Sequence, residues 1–159
     1  MNATIARALT PTTALAHLAG RLDLRNIRMK LADPDEGAGL HPFQLDLMEQ
    51  EYRRFLALHL AFPEMDVVPC KLVDEMWHRH ILDTAAYRED CQRIFGRFLD
   101  HFPYFGMRGP EDAEALEDAY VETLARYREA FGEPPAGTWV SPDASSKCKR
   151  TACKPQKCR

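Results

Sequence analysis

The chain has 159 residues, 45% hydrophobic and 28% charged, with a formal net charge of −3. Such a chain reads as one globular domain that can build a core without disulfide or metal staples. No apolar run approaches the roughly 18 residues of a membrane span, and the composition excludes collagen, a coiled-coil rod and wholesale disorder.

The charge is unevenly placed. Residues 147–159 carry six bases and no acid, which leaves 15 bases against 24 acids, a net −9, in residues 1–146. An acidic body lacks the positive footprint that phosphate contacts need, so nucleic acid is open to the tail alone. The cysteines divide the same way. Cys70 and Cys91 lie in the body; Cys148, Cys153 and Cys158 follow one another at five-residue spacing in the tail. The early apolar run is interrupted by Thr10, Pro11, Thr12, Thr13 and His17, a poor signal-peptide core. The expectation is a cytoplasmic protein with reduced thiols.

In chain order, residues 1–11 read as flexible. A first helix starts after Pro11, with Thr12 or Thr13 as N-cap, and carries Leu15, Leu18, Leu22, Ile27, Met29 and Leu31 towards Pro34. A loop with two glycines follows. His41–Pro42 opens a second helix with Phe43, Leu47, Tyr52, Phe55, Leu56 and Leu60 on its apolar stripe, ending near Phe62–Pro63. After a short connection containing Val67 and Val68, a third and longest helix spans residues 71–98. Two prolines and two glycines in HFPYFGMRGP break it. A fourth spans residues 111–131, with Leu116, Tyr120, Leu124 and Tyr127 on one face and Gly132 as C-cap. No period-two strand pattern appears. The expected architecture is all-α: an irregular bundle of about four to five helices over residues 12–132, a linker over 133–146, and a disordered basic, cysteine-rich tail over 147–159.

The third helix carries the chemistry. Asp74 and His78 are i, i+4 neighbours on one face, and His80, Thr84, Tyr87 and Cys91 form a second stripe. His78 and His80 are two residues apart, about 200° around a straight helix, and cannot share an ion there. Imidazole and carboxylate donors suit zinc, iron or copper. Asp74 and His78 supply two, and His101 or Glu51 a third. The structural alternative makes the histidines hydrogen-bonded helix residues, with Asp74 orienting an imidazole and Trp77 filling core. A Cys91–His80 dyad is excluded on one straight helix, because eleven residues rise about 16 Å; Cys91 with His101 or His59 stays open. Phe102, Tyr104 and Phe105 around Pro103 read as a plug at the end of the bundle. In the tail, lysines and arginines beside each thiol favour thiolate, and three thiolates suit a soft ion such as Cu(I) or Zn(II).

The run VDEMWHRHILDTAAYREDCQRIFGRFLDHFPYFG, with its Asp-x-x-Trp-His-x-His motif followed by Asp-Thr, Tyr and Cys, resembles the conserved N-terminal region of the glycine-rich domain-containing protein family. EYRRFLALHLAFPEMDVVPCKL resembles that family's upstream helix. The resemblance covers residues 43–106 and implies a helical domain, with no settled enzymatic activity. The sequence departs from the pattern in having only 8 glycines and no glycine-rich segment. It also carries Asp100 where similar sequences have a histidine beside the one matched by His101.

The expected function is therefore a small binding protein. A transition metal or small ligand sits near Asp74, His78, His80 and His101, with Trp77, Asp83, Thr84, Tyr87 and Cys91 lining the ligand site. Cys148, Cys153 and Cys158 form a second, softer site. The partner is an unknown protein or small molecule, not a membrane. The competing class is an enzyme, or an accessory or carrier protein of a modification pathway whose tail is modified or binds nucleic acid.

Overall fold

Thr10 caps the first helix, its hydroxyl accepting from the Thr13 amide at 3.2 Å, and Pro11 takes the first helical position. The helix thus begins one or two residues before the sequence-expected cap. The computed structural model describes residues 9–140. The remaining residues, including the tail with Cys148, Cys153 and Cys158, lie outside the described residues. Six helices follow in order: α1 Pro11–Ala19, α2 Arg25–Ala32, α3 Pro42–Ala61, α4 Lys71–Leu82, α5 Thr84–Phe95 and α6 Pro110–Phe131. All regular structure among the described residues is helical, and no described helix is long and apolar enough to cross a membrane.

Helix α3 is the hub, touching α1, α2, α4 and α6. Its entry is held by Pro42 and by the His41 amide donating to Gln44 Oε1 at 2.9 Å. Its second half is apolar almost all round, and Tyr52, Phe55, Leu56 and Leu58 are buried with Trp77 of α4 and Tyr120 and Tyr127 of α6. Each fully buried side chain of this size contributes about 1.5–3 kcal/mol of transfer free energy.

Six helices replace the expected four to five because two of the expected helices are each divided. The first division is at Gly20, which caps α1; Leu22 and Leu24 then enter the core from the connection. Arg53 of α3 secures this turn by donating to the carbonyls of Leu18 at 3.4 Å and Leu22 at 2.9 Å. The second division is at Asp83, which closes α4 and caps α5, its carboxylate accepting from the Ala86 amide at 3.5 Å. Helix α6 runs as expected, ending at Gly132 with φ 80°.

The segment after α6 turns back onto the helices. Trp139 is buried against Tyr120 and Tyr127, and its indole donates to Glu51 at 2.7 Å. Trp139 thus anchors the start of the expected linker to the bundle, while Glu133, Ala136, Gly137 and Val140 stay exposed. The burial of one large aromatic outweighs the polar character of its neighbours.

Candidate metal centre

Asp74 and His78 lie one turn apart on α4, and the loop after α5 brings His101 against them. Gly96, in the left-handed region at φ 67°, ends α5 and lets the chain reverse. The returning loop is anchored through Tyr87. The Trp77 indole donates to the Tyr87 hydroxyl at 2.9 Å, and that hydroxyl donates to the Leu99 carbonyl at 2.6 Å. Two residues later the His101 ring lies 4.8 Å, centroid to centroid, from Trp77.

The resulting cluster is tight. His101 Nε2 lies 3.2 Å from Asp74 Oδ1 and 3.0 Å from His78 Nε2, and His78 Nδ1 lies 3.7 Å from Asp74 Oδ2. One donor atom from each residue falls within 4.8 Å of the others. Donors bound to zinc at about 2.0–2.1 Å in tetrahedral array stand about 3.4 Å apart; the two contacts of His101 Nε2 are close to that spacing, whereas the 3.7 Å contact involves the other ring nitrogen of His78. The His101 nitrogen faces a carboxylate and a second ring nitrogen, with one hydrogen at most to offer. A proton serves that corner only as a shared bond, whereas a cation satisfies all three groups. The His78 side chain is 46% exposed, against 17% for Asp74 and 9% for His101, so the cluster opens to solvent on the His78 side.

His80 is not in this cluster. It is buried, with Nδ1 2.9 Å from the Tyr52 hydroxyl and Nε2 3.1 Å from Asp90 Oδ2. Facing that carboxylate, Nε2 carries the hydrogen and Nδ1 accepts from Tyr52. Asp90 is in turn bonded by Arg93, which reaches on to the Arg21 carbonyl at 2.8 Å. Burial lowers the His80 pKa despite the opposing pull of Asp90. A hydroxyl, an imidazole and a carboxylate in sequence have the form of a catalytic triad. All three residues are buried, however, and the network instead joins α3, α4 and α5. Asp90 is its partner that sequence reasoning missed. On one continuous helix, ten residues separate His80 and Asp90 by about 15 Å, and only the break at Asp83 brings them together.

The residues expected to line a ligand site are divided. Trp77, Tyr87 and Cys91 are buried, and Asp83 and Thr84 are exposed at the helix break. Burial raises the Cys91 pKa and pushes that of Cys70 up to about 12, which leaves both free thiols poor nucleophiles. Glu51, the other third donor suggested by sequence, is committed elsewhere. It is fully buried and accepts from Tyr127 and Trp139, each at 2.7 Å, and from Arg54 at 2.9 Å. His59 is also buried, its Nε2 without a hydrogen-bond partner among the described residues, and desolvation lowers its pKa to about 3. In the HFPYFG turn, Phe105 enters the core while Tyr104 is exposed.

The fold and the cluster define a small all-helical protein with a two-histidine, one-carboxylate constellation. The chain belongs to the UCP032817-like family, whose sequence model matches residues 27–125; that span includes Asp74, His78 and His101. It is also similar to Glycine-rich domain-containing protein 1 of Arabidopsis thaliana, 32% identical over 65 residues. The aligned stretch is 41% of this chain and 8% of the plant protein. No solved structure matches.

Proposed function

We propose that the protein binds one divalent transition-metal ion, zinc, iron or copper, through Asp74, His78 and His101. The observation that carries this reading is the convergence of three donors, drawn from α4 and a loop 23 residues beyond His78, within 4.8 Å. Two imidazoles and a carboxylate are a donor set common to zinc and non-haem iron sites. The family match contributes the extent of the domain and no activity. In this reading the thiols of Cys148, Cys153 and Cys158 form a second, softer donor set. The protein works in the reducing cytoplasm, a placement supported by its cysteine usage and by the two buried free thiols, Cys70 and Cys91.

The test is elemental analysis of protein purified without chelator. About one ion per chain is expected at Asp74, His78 and His101, beyond any ion held by the tail thiols. His101→Ala and His78→Ala lose it with helix content unchanged, and joint replacement of Cys148, Cys153 and Cys158 by Ser retains it. Wild-type protein that holds no metal and takes none up on dialysis against zinc, iron(II) or copper(II) overturns the reading.

A further inference from the structure

We infer that the ion held by Asp74, His78 and His101 keeps an exchangeable coordination position for a small anionic donor. It is thus a ligand-accepting centre and not a closed structural one. This rests on the metal-binding reading above.

Three arguments lead there. The first is the donor count. Structural zinc sites close their shell with four protein ligands, whereas sites with three leave a position for water or substrate. No fourth His, Cys, Asp or Glu among the described residues joins the cluster. Two other donors that the sequence offered are engaged elsewhere: Glu51 by Tyr127, Trp139 and Arg54, and His80 by Tyr52 and Asp90.

The second is access. Trp77, wholly buried, backs His101 from the core side, while nearly half of the His78 side chain is exposed. The uncommitted side of the ion therefore faces solvent, and a small ligand reaches it without any movement of the helices.

The third is charge. A divalent ion with one carboxylate and two neutral imidazoles carries a net +1. An anion neutralises the centre, and exchange consists of one bound water leaving as the anion's donor atom binds. Carboxylates, azide and hydroxide share this chemistry.

Cobalt(II) with azide as the probe tests the inference in the full-length chain. Titration with cobalt(II) reads whether the site exists: with Cys148, Cys153 and Cys158 replaced by Ser, one ion per chain binds, and none when His101→Ala is added. Azide added to the cobalt protein is expected to shift the ligand-field absorption saturably, with one azide per cobalt. Two results overturn the exchangeable position while leaving metal binding intact. One is a cobalt spectrum that saturating azide does not alter. The other is a sulfur-to-cobalt charge-transfer band that disappears on replacing Cys148, Cys153 and Cys158 by Ser, which assigns the position to a tail thiolate. Failure to bind cobalt or any of the three candidate metals overturns the metal reading and this inference together.

Discussion

At the scale of single residues, His59 shows how burial becomes a pH dependence. Its Nε2 is buried without a described partner and its pKa is lowered from 6.5 to about 3. His80 is also shifted downwards, by burial. Between these limits the unfolded chain binds protons that the folded chain refuses. The His59 contribution is therefore fully present above about pH 6.5 and is lost as pH falls towards about 3, and His80 acts in the same direction. His59→Phe removes one of the two groups. Its urea midpoint should fall less than that of the wild type between pH 7 and pH 4, and an equally steep fall would assign the acid sensitivity to other groups. The thiols follow the same physics in the opposite sense. Cys70, pushed up to about 12, and Cys91, also raised, stay protonated and enclosed at neutral pH. With the three tail cysteines changed to Ser, a thiol reagent should react slowly with native protein and rapidly after denaturation.

At the scale of elements, the turn at Asp83 decides what α4 and α5 can do together. Without it, His80 and Asp90 are separated along one rod, and Tyr87 cannot accept from Trp77. The Asp83 cap bond is long at 3.5 Å, so Asp83→Ala should cost only about 0.5 kcal/mol, the low end for an N-cap, measured by denaturant unfolding. Tyr87→Phe should cost more, about 2 kcal/mol, because it strips the buried Trp77 indole and Leu99 carbonyl of their partner. As Leu99 precedes His101 by two residues, the same change should weaken metal affinity about 10-fold, in the range of other positioning residues around metal sites. An unchanged affinity would show that the loop is held without Tyr87. The dipeptide Asp83–Thr84 was a cap signal inside an otherwise continuous helical pattern. Periodicity alone carried the helix through it, and the His80–Asp90 pair was hidden for that reason.

At the scale of the whole molecule, Glu51 ties the C-terminal end of the described chain to its centre. From α3 it receives hydrogen bonds from Tyr127 on α6, Trp139 after α6 and Arg54 beside it. Arg54 also lies over the rings of Tyr127 and Phe131. Glu51→Ala leaves a cation, a hydroxyl and an indole without their acceptor. The expected loss is about 3 kcal/mol, the low end for breaking a buried ion pair, because Arg54 keeps 21% of its side chain in solvent. Trp139→Ala should also destabilise α6 by removing the aromatic that packs on Tyr120 and Tyr127. A calorimetric midpoint equal to that of the wild type would mean that Trp139 rests on the bundle without supporting it.

What was determined by the sequence alone is local. The all-helical class follows from apolar spacing, and the start of α3 at Pro42 and the end of α6 at Gly132 follow from residues whose backbone preferences act within one turn. The pairing of Asp74 with His78 was equally legible, since i, i+4 neighbours on a helix must meet. The membership of His101, the diversion of His80 to Asp90, and the capture of Trp139 by Glu51 were decided by the tertiary structure. Each joins residues 10 to 88 positions apart. Such contacts depend on where helices break and at what angle they resume, and that is settled by burial summed over the whole core and not by any short stretch of chain.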